Sequence, residues 1–239
     1  MGMVIFEKSG VFNPADWGLI VGCVLQVICV GGGAGGKCLT TSGAAGGTSS
    51  FGSHVTASGA NSSLNSANGM GRGGYGSWHS DSGAAGGGAG GYIPGIPVYG
   101  GNGGDGDYID SSATGMTTRT APSLLGGKGN LIGDTSIVEL FSSLPFANLA
   151  AGPGNKGAKG GRGSGGNGYG AGGGGGKANS TVGGGDGGNS GAIVFGAVIL
   201  TSLDGIPVTV GAGGQGGVLF ENENDSGGDG APGVVIITW

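Results

Sequence analysis

Short runs of aliphatic and β-branched residues, each closed by glycine, proline or aspartate, punctuate this chain. They predict strands at Met3–Phe6, Val24–Val30, Ala192–Leu200, Ile206–Val210, Val218–Phe220 and Val234–Trp239. The strands gather at the two ends of the sequence, so the termini are expected to meet in one small β-layer. Between them lie glycine tracts at 31–36, 83–91, 100–106, 152–176, 183–191, 211–217 and 227–230.

The tracts carry a period of their own. From Gly154 the chain places glycine at every third position through Gly166, with Lys156, Lys159 and Arg162 also three apart. Neither an α-helix nor a strand has that period; the extended threefold polyproline II helix does. In 211–217 the two non-glycine residues, Ala212 and Gln215, fall on one edge of such a helix, and Val218 continues it. In 100–106 the corresponding edge is Asn102 and Asp105, with Tyr108 next, whereas 170–176 and 183–185 are almost bare and suit an interior position. Such helices make no internal hydrogen bonds, so buried ones must pair their amides and carbonyls with neighbours at a distance only glycine allows. The alternative is a set of solvated flexible loops. The fold class expected is mainly β with non-regular structure and little α-helix: a small β-layer from the N- and C-terminal strands plus a packed bundle of polyglycine II helices.

Composition sharpens this reading. Glycine supplies 68 of 239 residues, about four times its usual share of ~7%, while eight prolines are too few for collagen. Ordering each glycine costs roughly 0.5–1 kcal/mol more than ordering alanine, on the order of tens of kcal/mol in total. Backbone hydrogen bonding and close backbone packing must offset that. Charged residues are 10% of the chain and apolar residues 36%, less charge and more apolar content than disorder usually shows. The net charge of −5 and the scattered cations argue against a nucleic-acid surface.

Three cysteines, Cys23, Cys29 and Cys38, do not make a disulfide framework and are expected to be buried free thiols. Cys23 and Cys29, six apart, would share one side of an extended strand. The apolar run Leu19–Val30 contains Gln26 and is too short to span a bilayer. It follows an acidic, turn-rich start rather than a basic one, and Phe6 stands where myristoylation wants Ser or Thr. The chain is expected to be soluble and unprocessed.

Several motifs resemble chemistry without supporting it. GGGAGGKC (31–38) satisfies G-x-x-x-x-G-K, yet Cys38 replaces the magnesium-binding Ser/Thr and LTTSGAAGG is a poor helix former. The same stretch fits G-x-G-x-x-G without an acidic residue near twenty positions on. GGNGGD (100–105), with Asp107 and Asp110 close by, is one imperfect copy of a calcium nonapeptide that acts in tandem. The two histidines, His54 and His79, sit in no metal spacing or nucleophile motif. No enzyme activity, cofactor or metal is expected.

Two regions look inserted, 37–82 and 107–151, joined by the aromatic, proline-stiffened YIPGIPVYG (Tyr92–Gly100). The domain reading is a scaffold of 1–36 and 152–239 carrying variable loops at 37–151, with one continuous domain as the other possibility. The receptor-binding candidates are Tyr75, Trp78 and His79, with Arg72 nearby, and a second patch of Tyr92, Ile96 and Tyr99. Aromatic rings give large contact area at low entropy cost, although Trp78 would equally plug a small core under its loop. Lys156, Lys159 and Arg162 read as a solvated edge or a surface for an acidic glycan.

The order of these pieces resembles the glycine-rich domain of bacteriophage tail proteins. The similarity rests on the FxxxGxFNPADWG stretch (Phe6–Gly18) and a strand running into GGGAGG (Val24–Gly36). It continues in GYGAGGGGG (Gly168–Gly176), GAIVFGAVIL (Gly191–Leu200), IPVTVGAGGQGG (Ile206–Gly217) and DGAPGVVIITW (Asp229–Trp239). It covers 1–36 and 152–239 well and 37–151 poorly. The design is also similar to phage adhesins whose distal tips are stacked polyglycine helices with variable receptor-contacting loops. The resemblance implies a virion structural protein in the tail or fibre, made in the host cytoplasm and present in multiple copies or as a homo-oligomer. Its implied partners are other virion proteins and a host surface protein or glycan, and it implies no catalysis and no named contact residue. The alternatives are a virion component acting only in assembly and stiffness (head fibre, decoration protein or tail-tip plug), with 137–149 docking a partner, and a secreted or ice-binding glycine bundle.

Overall fold

The structure, a computed structural model, describes residues 2–38, 41–61, 169–176, 186–218 and 226–239, and residues 90–93 and 96–98 through their backbone. The described chain is mainly β, with one short 3-10 turn at Pro14–Trp17. The strands are β1 (Met3–Phe6), β2 (Gly10–Phe12), β3 (Val24–Val30), β4 (Ser49–Phe51), β5 (Val55–Ala57), β6 (Gly90–Ile93), β7 (Ile96–Val98), β8 (Ala192–Ile199), β9 (Ile206–Thr209) and β10 (Val234–Thr238). They form a six-stranded sheet in the order β1-β10-β3-β8-β6-β7 and a four-stranded sheet in the order β2-β9-β4-β5. All pairings are antiparallel except β6 on β8.

The sheets enclose one core. Alternate residues of β3 (Leu25, Val27, Cys29) join Val235 and Ile237 of β10 and Val198 of β8 on the inner face. Phe12, Phe51, Val55, Ala57 and Val208 meet them from the smaller sheet. The outer face of β3 and β10 is buried too at Ile28, Val30, Val234 and Ile236, which is why both strands read as nearly continuous apolar runs. Gly196 interrupts β8 because Val55 packs onto it: a Cβ there would lie 2.5 Å from a Val55 methyl. Phe12 meets Phe51 edge-on at 5.8 Å and Trp239 at 6.0 Å, and Trp239 meets Trp17 at 5.3 Å. The Tyr169 hydroxyl donates to the Glu7 carboxylate, a bond that raises the phenol pKa.

All three cysteines are free. Cys29 lies in the core with Cys23 packed against it, on the shared side expected from their spacing. Burial pushes the Cys29 thiol up to about 12, partly opposed by a backbone hydrogen bond. A thiol alkylating reagent at about pH 8, below the ordinary thiol pKa, is therefore expected to label Cys23 in the folded protein. Cys29 and Cys38 should be spared until denaturant is added, as peptide mapping would read. The unfolded thiol ionises near 9.0 and the folded one near 12. The Cys29 contribution to stability is thus complete below pH 9 and is lost as pH rises from about 9 to 12.

Beyond the sheets, segments without regular secondary structure hydrogen-bond to one another with a period of three. β3 runs straight into 31–38, and this segment is the hub. The amides of Gly31, Ala34 and Lys37 donate to the carbonyls of Ala192, Asn189 and Asp186 at 2.9, 2.9 and 2.7 Å. Those of Gly32, Gly35 and Cys38 donate to Gly47, Ala44 and Thr41, and those of Gly33 and Gly36 to Ala231 and Gly228. The hub carbonyls accept from three further segments: Gly32 from Ala60, Gly33 and Gly36 from Gly214 and Gly217, and Ala34 and Lys37 from Gly173 and Gly176. A sheet ladder would alternate between two neighbours; this hub has six.

The six neighbours also bond to one another in a closed ring. Segment 41–47 donates to 211–217 (Ala44 to Gln215, Gly47 to Ala212), to which 226–233 donates in turn (Gly227 to Gly217, Gly230 to Gly214). Segment 226–233 reaches 171–176 through Gly228 to Gly174 and Ala231 to Ala171, and 186–191 reaches it through Gly188 to Gly173. Ala192 to Ser58 and Gly46 to Ala60 close the circle. Burial follows the same period: Gly211, Gly214 and Gly217 are buried, whereas Ala212, Gln215 and Val218 share an exposed edge.

The structure departs from the sequence reading in places. The β-layer is two sheets rather than one, because β2, β4, β5, β6 and β7 join the predicted strands. Residues 41–61, read as the start of an inserted loop, supply two strands and two ring segments. Three-residue strands such as SSF and VTA are too short for alternation to show. Val218 is an exposed residue of a ring segment rather than the start of a strand, and 219–220 lie outside the described residues. So do the tracts at 83–89, 100–106, 152–168 and 183–185, and most of the segment 62–168.

Candidate functional site

Of the residues singled out for binding, Tyr75, Trp78, His79 and Tyr99 lie outside the described residues, as do Lys156, Lys159, Arg162 and the GGNGGD stretch. Tyr92 and Ile96 are placed through their backbone, in β6 and β7. There Tyr92 pairs with Pro97 and Ile93 with Ile96, and Gly90 lies beside Ala192, where β8 leaves the ring. β7 closes one edge of the six-stranded sheet, and a proline in it suits an edge strand.

The phosphate-loop lookalike 31–38 is the hub of the ring. Each of its amides donates to a protein carbonyl, so none is left to cradle a phosphate. Its lysine is engaged as well: Lys37 Nζ lies 3.4 Å from a carboxylate oxygen of Asp186.

The ring has two unlike ends. At the end away from the sheets, Cys38 and Thr41 bond reciprocally, Lys37 bonds Asp186 and accepts from Gly176, and Gly227 bonds Gly217. Residues 38 and 41, 176 and 186, and 217 and 227 therefore all lie at this one end. Segment 58–61 also heads that way, Asn189 holding Asn61 by its carbonyl at 3.3 Å and its side chain at 3.0 Å, before the chain continues into 62–89. At the opposite end, Gly2 and Trp239 exchange two backbone hydrogen bonds, at 2.8 and 3.1 Å. The sandwich there leaves Trp17, Ile20, Val21, Val24, Ile199 and Leu203 exposed.

A groove of about 470 Å³ opens beside the sandwich, where residues 200–205 cross from β8 of one sheet to β9 of the other. The β4–β5 turn forms its second wall and β9 its floor. No spacing in the sequence announces it, because its lining comes from segments about 150 residues apart. Its histidine, His54, was visible only as one of two in the chain. Among the described residues no group of three or more His, Cys, Asp or Glu side chains converges on a metal position, and no helix is long and apolar enough to cross a membrane.

No family model, curated protein or solved structure matches this chain.

Proposed function

We propose that the ring is a bundle of polyglycine II helices and that the protein is a bacteriophage virion component. In this reading it is a tail-fibre or tail-tip adhesin that displays loops from a rigid glycine scaffold to a host surface receptor. The observation that carries the reading is the six-around-one hydrogen-bonding pattern of segment 31–38. Three residues per turn with every amide given to a neighbour is what buried threefold helices require. Such a scaffold places its turns at one end, where loop sequence can vary without disturbing the backbone pairing. The resemblance of 1–36 and 152–239 to phage tail glycine-rich domains supplies the biological setting. Tyr75, Trp78 and His79, with Tyr92, Ile96 and Tyr99, are the contacts to a host protein or glycan, and multiple copies on the particle multiply weak individual contacts.

A Tyr75→Ala, Trp78→Ala, His79→Ala triple variant is expected to keep its fold and lose host-cell adsorption. Wild-type adsorption by a folded variant would reject that site. A second reading is favoured by the exposed apolar residues around Trp17, Ile20 and Ile199: a virion component acting only in assembly, docked through that end of the sandwich. Antibody labelling of intact particles separates the two. Label at a tail or fibre extremity supports the adhesin; label on the head or along a shaft supports the assembly component.

A further inference from the structure

We propose that the groove between β8, β9 and the β4–β5 turn binds a short neutral saccharide. The inference stands apart from the loop residues assigned above. Polar side chains from three separate stretches line the groove: Ser50, Ser53 and His54, then Thr201 and Asp204, then Thr209. Ser53, His54, Thr201, Asp204 and Thr209 are all exposed where they line the groove, so their hydrated donors and acceptors are open to exchange water for ligand hydroxyls. Pro207, on the same outward face of β9 as Thr209, and the exposed Ile199 supply apolar surface in the same lining.

This pairing selects the ligand class. Hydroxyl groups donate and accept at once, which matches a polyol whose own hydroxyls do the same. An apolar strip next to them suits the C–H face of a pyranose ring. The lining contains one carboxylate and neither Lys nor Arg, so it repels phosphates, nucleotides and acidic sugars. A lone carboxylate does not supply the six to eight oxygen ligands a calcium ion typically takes. A peptide adding itself as a strand is also disfavoured, since β9 is already paired on both sides, with β2 and β4.

The groove volume of about 470 Å³ falls in the ~300–1,000 Å³ range of small-molecule sites. Its walls are held in place before any ligand arrives. Gly52 has φ +51° in the β4–β5 turn, and even a methyl there would come within 3.1 Å of the Ile206 side chain, so the turn sits tight on the floor strand. The His54 amide closes the turn by donating to the Phe51 carbonyl at 3.0 Å, and the His54 ring lies 6.2 Å from that of Phe51. A preformed wall lowers the ordering cost of binding.

The test uses the full chain and saturation-transfer NMR against neutral trisaccharides built from glucose, galactose, mannose or N-acetylglucosamine. A sialylated trisaccharide and calcium chloride serve as controls. At least one neutral trisaccharide is expected to bind in the millimolar range, and Asp204→Ala and Thr209→Ala are each expected to weaken it about tenfold, one hydrogen bond's worth. The Tyr75, Trp78, His79 triple variant is expected to bind that sugar as the parent does, which separates the groove from the loops. The inference is overturned if no neutral trisaccharide saturates the protein or if only the sialylated sugar or calcium does. It is overturned equally if binding survives both groove substitutions or disappears in the loop variant.

Discussion

A Gly33→Ala variant is expected to be unfolded or insoluble where the parent protein is fully folded. Gly33 lies in the middle of the hub, where a Cβ would sit 2.0 Å from the carbonyl oxygen of Ala171 and 2.5 Å from its carbon. Both are backbone atoms of a ring segment that cannot rotate out of the way. Shifting it would stretch bonds on every side, including Ala231 to Ala171 and Gly173 to Ala34. The same clash recurs at Gly32, Gly35 and Gly36, each about 2 Å from a neighbouring carbonyl oxygen. A loss beyond ~4–5 kcal/mol is exceptional for one methyl group, and it is enough to unfold a protein whose stability lies near the lower end of the usual ~5–15 kcal/mol. Two comparisons isolate the cause. Gly22→Ala meets open space and only a left-handed φ of +93°, so it should cost roughly 1–2 kcal/mol of backbone strain. Gln215→Ala, on the exposed edge of a ring segment, should melt with the parent. Thermal unfolding followed by circular dichroism ranks the three; a Gly33→Ala protein that melts like Gln215→Ala would mean the segments are not in contact.

What the sequence made legible follows from where side chains carry information. Met3–Phe6 and Val24–Val30 were readable to the residue because β-branched and aliphatic side chains bounded by glycine specify a strand locally. The exposed edge of Ala212, Gln215 and Val218 was readable because three marked positions at a spacing of three match the three-residue period of burial and backbone hydrogen bonding. Which segment neighbours which was not readable. A glycine presents no side chain to select a partner, so the order around the ring is set by connections and by the strands that deliver each segment, β3 into 31–38 and 186–191 into β8. The groove was hidden for a different reason. Thr201, Asp204 and Thr209 look like ordinary solvated turn and strand residues until the fold sets them opposite Ser53 and His54.

The same limit hid Phe51, which makes the second large prediction: Phe51→Ala is expected to destabilise the protein by about 3–5 kcal/mol. Its neighbours in sequence, Ser49, Ser50, Gly52 and Ser53, give it the look of an isolated aromatic in a polar loop. In the structure it is fully buried, edge-on to Phe12, with Val55 and Val208 in the same cluster. β4, which carries it, is the strand between β9 and β5, so a cavity there opens under the middle of the smaller sheet. Ser49, two residues earlier, ties the same strand to the ring by accepting from the Gly211 amide at 2.9 Å. Core and ring are thus coupled through one short strand, and loosening Phe51 should reach both. Equilibrium denaturation should show a lower midpoint with an unchanged slope, and hydrogen exchange should speed up at Gly211 and Gly47 as well as in β4. If residues 41–61 were instead a loop laid over the scaffold, Phe51→Ala would leave the midpoint within experimental error and the ring amides would keep their protection.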